Sequence, residues 1–234
     1  MSSWNLNRTT LLLLAAVPLA AFGQAGRFQL ENSKDDFGER SHGIVEMLPS
    51  GGTEFYPLPQ SSYDEYTRLR SEEARINSVT ADKYNRQEVI GPSQIESGKI
   101  WFGNNYYDGE GDTGVGAFGY FDTTTRQYTL FSPPEVAPYE VSAILVERDS
   151  VWLGLDTFTE DISTVPGGLA RWNRGTHATH FYPLEFAITK IQRQGDLLRL
   201  ETRYGYALFR DGVVRRFLSS GIPVVKFPPP PSHY

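Results

Sequence analysis

The chemistry open to this chain is that of carboxylates, histidine, hydroxyls and Lys/Arg, because its 234 residues include no cysteine. There is accordingly no disulfide framework, no thiolate nucleophile and no Cys-rich zinc site. The densest cluster of acids is Asn104-Asn105-Tyr106-Tyr107-Asp108-Gly109-Glu110-Gly111-Asp112-Thr113-Gly114. Its alternating Asp108, Glu110 and Asp112, spaced by glycines, could wrap oxygens around a hard cation such as Ca²⁺. As an EF-hand loop it fails: with Asp108 first, Gly114 stands seventh and Gly119 twelfth, where a bidentate glutamate is required. A solvated acidic turn is the simpler reading, so no cofactor is expected and Ca²⁺ at Asp108, Glu110 and Asp112 is the alternative. A second acidic stretch holds Asp156, Glu160 and Asp161.

Glu110 and Asp161 could form a general acid/base pair if the two stretches met. The four histidines, His42, His177, His180 and His233, are scattered, and the chain has no Gly-x-Ser-x-Gly elbow, Walker loop or dinucleotide fingerprint. Those absences favour a binding role over catalysis.

The acidic stretches sit at matching places in an internal repeat. A shift of 51 residues superposes Ile95-Glu96 on Val146-Glu147, Ile100-Trp101-Phe102-Gly103 on Val151-Trp152-Leu153-Gly154, Phe121-Asp122 on Trp172-Asn173, and Leu130-Phe131 on Phe181-Tyr182, without a gap. The second half of the unit recurs as Gly43 to Pro49 with Thr53 to Tyr56, and as Tyr204 to Arg210 with Val213 to Leu218. Each full unit reads as four short strands, shown best by Val141 to Glu147, Ser150 to Leu155, Gly168 to Asn173 and Thr179 to Leu184. Gly51-Gly52 and Asp211-Gly212 suit antiparallel hairpins. Helical spacing occurs only over Ser62 to Ile76, which reads equally as helix or loop.

Antiparallel four-stranded units of this period predict an all-β fold, a small β-propeller of about four blades. One such sheet has two apolar faces and buries neither alone, so blades must stack, with Trp101 and Trp152 between them. The first unit supplies only a hairpin of outer strands; Phe28-Gln29-Leu30 and Ile222 to Phe227 are the expected closing strands, which would remove exposed edges. Lys99-Ile100-Trp101-Phe102-Gly103 and Ser150-Val151-Trp152-Leu153-Gly154, each followed by Gly-x-x-x-aromatic-Asp/Asn, resemble the repeats of bacterial extracytoplasmic propellers of the two-component-regulator type and of streptogramin-lyase-like proteins. The resemblance implies a fold and not an activity.

Residues 1–25 read as a signal peptide, with Arg8 ahead of an apolar run from Leu11 to Phe22 and small residues at Gly23 and Ala25. Residues 26–42 are a lead-in, 43–218 the repeats with an insertion over 59–88, and 219–234 a closing strand and Pro-rich tail. Cleavage removes one base and no acid, moving the net charge from −6 to −7. That balance argues against nucleic acid, and no later segment is apolar enough to span a membrane. Neither Cys nor a mature Asn-x-Ser/Thr sequon occurs, which fits a periplasmic or secreted bacterial protein. The expected activity is binding of a protein, peptide or carbohydrate through Tyr106, Tyr107, Asp108, Glu110, Asp112, Asp156, Glu160, Asp161, Arg203 and Tyr204. The alternative is an exported lyase or hydrolase using loop carboxylates with a divalent cation.

Overall fold

A computed structural model describes residues 27–34, 40–59, 88–107, 112–137, 139–156 and 167–223. The signal peptide, the 62–76 segment, Asp108, Glu110, Glu160, Asp161 and the Pro-rich tail lie outside the described residues. Among the described residues, fifteen strands form four antiparallel sheets, each in chain order. Sheet 1 holds β1 (Phe28–Lys34), β2 (Arg40–Met47) and β3 (Thr53–Pro57). Sheet 2 holds β4 (Glu88–Glu96), β5 (Lys99–Tyr107), β6 (Asp112–Asp122) and β7 (Gln127–Phe131). Sheet 3 holds β8 (Glu140–Val146), β9 (Ser150–Asp156), β10 (Gly168–Asn173) and β11 (Thr179–Pro183), and sheet 4 holds β12 (Lys190–Gln194), β13 (Leu197–Thr202), β14 (Gly205–Arg210) and β15 (Val213–Leu218). This is the all-β, propeller-like set of about four blades that the repeat implies.

The register explains the 51-residue period. Leu155 pairs with Gly168 and Asn104 with Ala117; Leu169 pairs with Tyr182 and Phe118 with Phe131. The matched Asp122 and Asn173 close equivalent turns: the Asp122 carboxylate accepts from the Thr124 and Thr125 N–H groups, and the Asn173 amide oxygen from those of Gly175 and Thr176. Both are Asx turns, a local preference of these residue types. Asp211 and Gly212 both have positive φ, as a two-residue turn between right-twisted strands requires.

Sheets stack in series, β1 and β2 against β4, sheet 2 against β8, and β12 against β8 and β9. Three apolar layers fill the gaps. Phe28, Ile44, Ile100, Phe102 and Phe121 lie between sheets 1 and 2, and Trp101, Phe118, Val141, Leu153 and Trp172 between sheets 2 and 3. Trp152, Ile188, Leu198, Leu200 and Phe209 lie between sheets 3 and 4. Both Trp101 and Trp152 are therefore interblade residues, as expected. Burying such a side chain is worth roughly 1.5–3 kcal/mol before entropy is counted.

One of the two ends of the stack differs from expectation. Phe28 to Leu30 does complete sheet 1, pairing Phe28 with Glu46 and Leu30 with Ile44. Ile222 and Pro223, however, turn back on their own sheet. Gly221 adopts φ +80, the Leu218 N–H donates to the Ile222 carbonyl, and Pro223 bridges Phe217. The described part of that segment thus caps sheet 4 and gives no strand to sheet 1; residues 224–227 lie outside the described residues. Among the described residues, sheets 1 and 4 share no contact of the extent that joins neighbours. The outward face of sheet 4 is correspondingly polar. Arg199 and Glu201 occupy the register positions of Trp152 and Gly154, and they pair with each other at 2.6 Å.

Candidate functional site

The ends of the strands sort the stack into two surfaces. At one end lie the tight hairpins β2–β3, β4–β5, β6–β7, β8–β9, β10–β11, β12–β13 and β14–β15. Three arginine–carboxylate pairs join successive sheets there. Glu46, fully buried, accepts two bonds from Arg126 at 3.0 and 3.2 Å, one from the Tyr56 hydroxyl at 2.9 Å, and contacts Arg27 at 2.6 Å. The Arg126 guanidinium holds the Glu46 carboxyl below the usual range although burial opposes it. Burial, reinforced by hydrogen bonds to Glu54 and Glu46, pushes the Tyr56 hydroxyl up to about 12. Arg174 reaches Glu96 at 3.4 Å. Arg193 makes a two-pronged contact with Glu147 at 2.7 Å on each prong, and the Trp152 indole N–H donates to the same carboxylate at 2.9 Å. Glu96 and Glu147 are the repeat-matched acids, so their recurrence is structural.

The opposite end carries the β5–β6, β9–β10 and β13–β14 connections and those between sheets. Here a side-chain amide takes the place of backbone. Asn105, buried, donates to the Val141 carbonyl at 2.9 Å and accepts from the Val141 N–H at 2.6 Å. At the hairpin end, Gln94 does the same for Val146, at 3.0 and 2.8 Å. Each amide satisfies both groups of one residue on the neighbouring inner strand β8, whose inner edge has no strand partner.

The expected site residues divide accordingly. The acidic run over Asn104 to Gly114 is shorter as a loop than its composition suggests. β5 continues to Tyr107 and β6 begins at Asp112, with Tyr106 opposite Thr113 and Tyr107 opposite Asp112. A register shift after Asn104 lets the ladder resume, and the β-favouring tyrosines extend it. Asn104 and Asn105 are core residues and only residues 108–111 join the strands. Asp156 ends β9, half-buried, at the position Asn105 holds one repeat earlier. Arg203 holds that position in sheet 4, in the Arg203-Tyr204 turn between Thr202 and Gly205. Tyr204 is 71% exposed, with the Arg203 guanidinium 5.5 Å from its ring centre. The strand ends thus bring Tyr106, Tyr107, Asp112, Asp156, Arg203 and Tyr204 to one end of the stack. Among the described residues no three His, Asp or Glu side chains are grouped to hold a metal.

His177 and His180 sit at the β10–β11 hairpin, away from that end. His177 has φ 60 and stacks on Trp172 at 4.9 Å; His180 contacts Tyr182 at 4.4 Å. Sequence reasoning missed the Asn105 and Gln94 clamps, which look like ordinary polar residues near a loop.

No protein-family model matches this sequence, and no curated protein does. Solved structures similar to the chain include two from B. thetaiotaomicron, described as the extracellular domain of a hybrid two-component system and of a one-component system. They share 13% and 12% identity with TM-scores of 0.43 and 0.41, over 78% and 84% of this chain. The chain spans only about a fifth of either structure, 20% and 21%.

Proposed function

We propose that the chain is an exported binding module that holds a protein, peptide or carbohydrate partner at the connection end of its stacked sheets. The observation that supports this is the division of labour between the two ends. The hairpin end is locked by the Glu46, Glu96 and Glu147 ion pairs, while the other end carries every long connection and presents Tyr204 and Arg203 to solvent. A rigid scaffold with variable connections at one end is the usual arrangement of a recognition surface, and exposed Tyr and Arg are the side chains that anchor partners best.

Partner retention from a periplasmic extract and on a panel of immobilised glycans tests the proposal. Tyr204→Ala, and Tyr106→Ala with Tyr107→Ala, should lower retention about tenfold, whereas Arg148→Ala at the hairpin end, 96% exposed, should leave it unchanged. Equal loss in the Arg148 variant, or none in the tyrosine variants, rejects the assignment. Ca²⁺, Mg²⁺ and EDTA should leave the melting temperature unchanged; a Ca²⁺-dependent rise that Asp108→Ala removes would favour the metal-dependent alternative instead.

A further inference from the structure

The mouth between sheets 3 and 4 departs from the repeat. Ala207 of β14 lies opposite Leu200 and Arg216, as Ala170 lies opposite Leu153 and Phe181 in sheet 3 and Gly119 opposite Phe102 and Leu130 in sheet 2. Arg216 therefore holds the position of Phe181 and Leu130, whose side chains pack on the apolar layer toward the preceding sheet. Between sheets 2 and 3 this position is closed. The Phe181 ring stacks on Tyr139 of the β7–β8 connection, with 5.3 Å between ring centres and 19° between planes. Between sheets 3 and 4 an arginine faces a shorter connection, residues 184–189 against 132–139. A groove of about 670 Å³ lies there instead, lined by Pro183, Leu184, Phe186, Val214, Arg216 and Pro223. That volume is within the usual size of a ligand cleft. Arg215 and Phe217 border it from the other face of β15.

The charge of Arg216 is not accounted for by the fold. Three other arginines that are half-buried are neutralised: Arg27 by Glu46, Arg174 by Glu96 and Arg199 by Glu201. Arg216 is half-buried too, yet among the described residues it has no carboxylate partner, and Glu185, the one acid lining the groove, makes no ion pair with it. Its guanidinium lies 4.8 Å from the Phe186 ring centre, held on an aromatic wall. An unpaired charge at such depth costs stability, and the repeat puts an apolar residue at this position.

We infer that the groove is the specificity pocket of the connection end and takes the C-terminal residue of a peptide, apolar in its side chain and bearing a free α-carboxylate. The inference rests on the reading of the connection end as the recognition surface and names what that surface selects. The carboxylate accepts two parallel bonds from the Arg216 fork. The side chain lies against Leu184, Phe186 and Val214, in the place that the Phe181–Tyr139 stack fills one gap earlier. A sugar acid would set hydroxyls without partners against those apolar walls, whereas capture of a chain's terminal carboxylate is a recurring mode of peptide recognition. The outer edge of β15, already met by Ile222 and Pro223, takes no part.

Fluorescence anisotropy on the purified chain tests it with an N-terminally labelled pentapeptide ending in phenylalanine, as the free acid and as the C-terminal amide. The acid should bind saturably and the amide about tenfold or more weakly. Arg216→Gln should lower the acid's affinity to that of the amide. Arg216→Leu should do the same while raising the melting temperature by about 2–4 °C, because leucine is the residue that sheet 2 carries there. The inference is overturned if the acid does not bind, if the amide binds as well, if Arg216→Gln leaves the acid's affinity unchanged, or if Arg216→Leu lowers the melting temperature. Displacement of the peptide by 3-phenylpropionate as effective as by unlabelled peptide would name a free organic acid as the ligand. A chain ended after Pro223 that binds the peptide about tenfold more tightly would name residues 224–234 as the occupant. Either result also overturns it. Retention from the periplasmic extract separates the two readings. Retention lost in Tyr204→Ala and kept in Arg216→Gln overturns the pocket alone, and retention lost in Arg216→Gln and kept in every tyrosine variant rejects the tyrosine surface alone.

Discussion

Replacing Gly154 by alanine should test the stacking of sheet 4 on sheet 3 through the sign of a change in melting temperature. Gly154 ends the Trp152-Leu153-Gly154 phrase of β9. A methyl group there would lie 2.9 Å from the Cβ of Ala143 and 2.9 Å from the Cβ of Ile188, with the Ile188 Cγ2 at 3.1 Å. Neither Cβ can swing aside, and Ile188 is fully buried in the connection leading to β12. Relief requires moving that connection away from sheet 3. Overpacking of this kind costs about 1–3 kcal/mol. Against it stands the gain of about 0.4–1 kcal/mol that Gly→Ala brings by restricting the unfolded chain, which applies because Gly154 is not in the left-handed region. The net expectation is a loss of about 1–2 kcal/mol, and for a chain of this size a fall of about 2–8 °C in melting temperature. Thermal and urea melts of parent and variant measure it. Without Ile188 over Gly154 the added methyl would meet only Ala143 of its own sheet, so an unchanged or raised melting temperature refutes the stacking. Glu201, at the equivalent position of sheet 4, is the internal comparison: Glu201→Ala breaks only a partly exposed ion pair and should cost less than about 1 kcal/mol.

The Glu147 staple should make stability depend on acid. The Arg193 guanidinium holds the Glu147 carboxyl below its ordinary value of 4.5. Its contribution is therefore complete above that value and disappears as the pH falls through the depressed folded one. Glu147→Gln should cost about 1 kcal/mol at neutral pH and flatten the decline in melting temperature below pH 4.5; an unaltered acid profile would remove the staple from the account. The equivalent turns offer a local check. Asp122→Ala and Asn173→Ala should each cost about 1 kcal/mol, while Asp122→Asn should keep most of the turn's stability because the amide oxygen can still accept from Thr124 and Thr125. Chemical denaturation of the three variants reads this directly, and a loss in Asp122→Asn equal to that in Asp122→Ala contradicts it.

Much of the fold was legible because its determinants are local. Strand alternation, Asx turns and the Trp-x-Gly phrase each act within a few residues, so their recurrence at 51 residues exposed the blade unit and placed β8 to β11 within a residue or so of their observed limits. The site was less legible. Asn104 and Asn105 stand among tyrosines and acids and read as loop, but a bulge keeps them in β5, and Asn105 completes the hydrogen bonding of Val141, 36 residues away. Composition reports what solvent could accept at a position; it does not report which backbone groups a neighbouring sheet leaves unsatisfied.

What the sequence determined by itself is therefore the unit: four short antiparallel strands, an interblade tryptophan followed by a small residue, and turns that close on Asp or Asn. What only the tertiary structure decided is how units meet and which faces they cover. The Glu46–Arg126, Glu96–Arg174 and Glu147–Arg193 pairs join residues 80, 78 and 46 positions apart. Ile222 and Pro223 return onto β15, and an ion pair stands in sheet 4 where sheets 2 and 3 carry Trp and Gly. The physical reason is range. A strand or turn is selected by the few residues that form it, whereas a face becomes interior or exterior only once the chain has placed, or failed to place, another sheet against it.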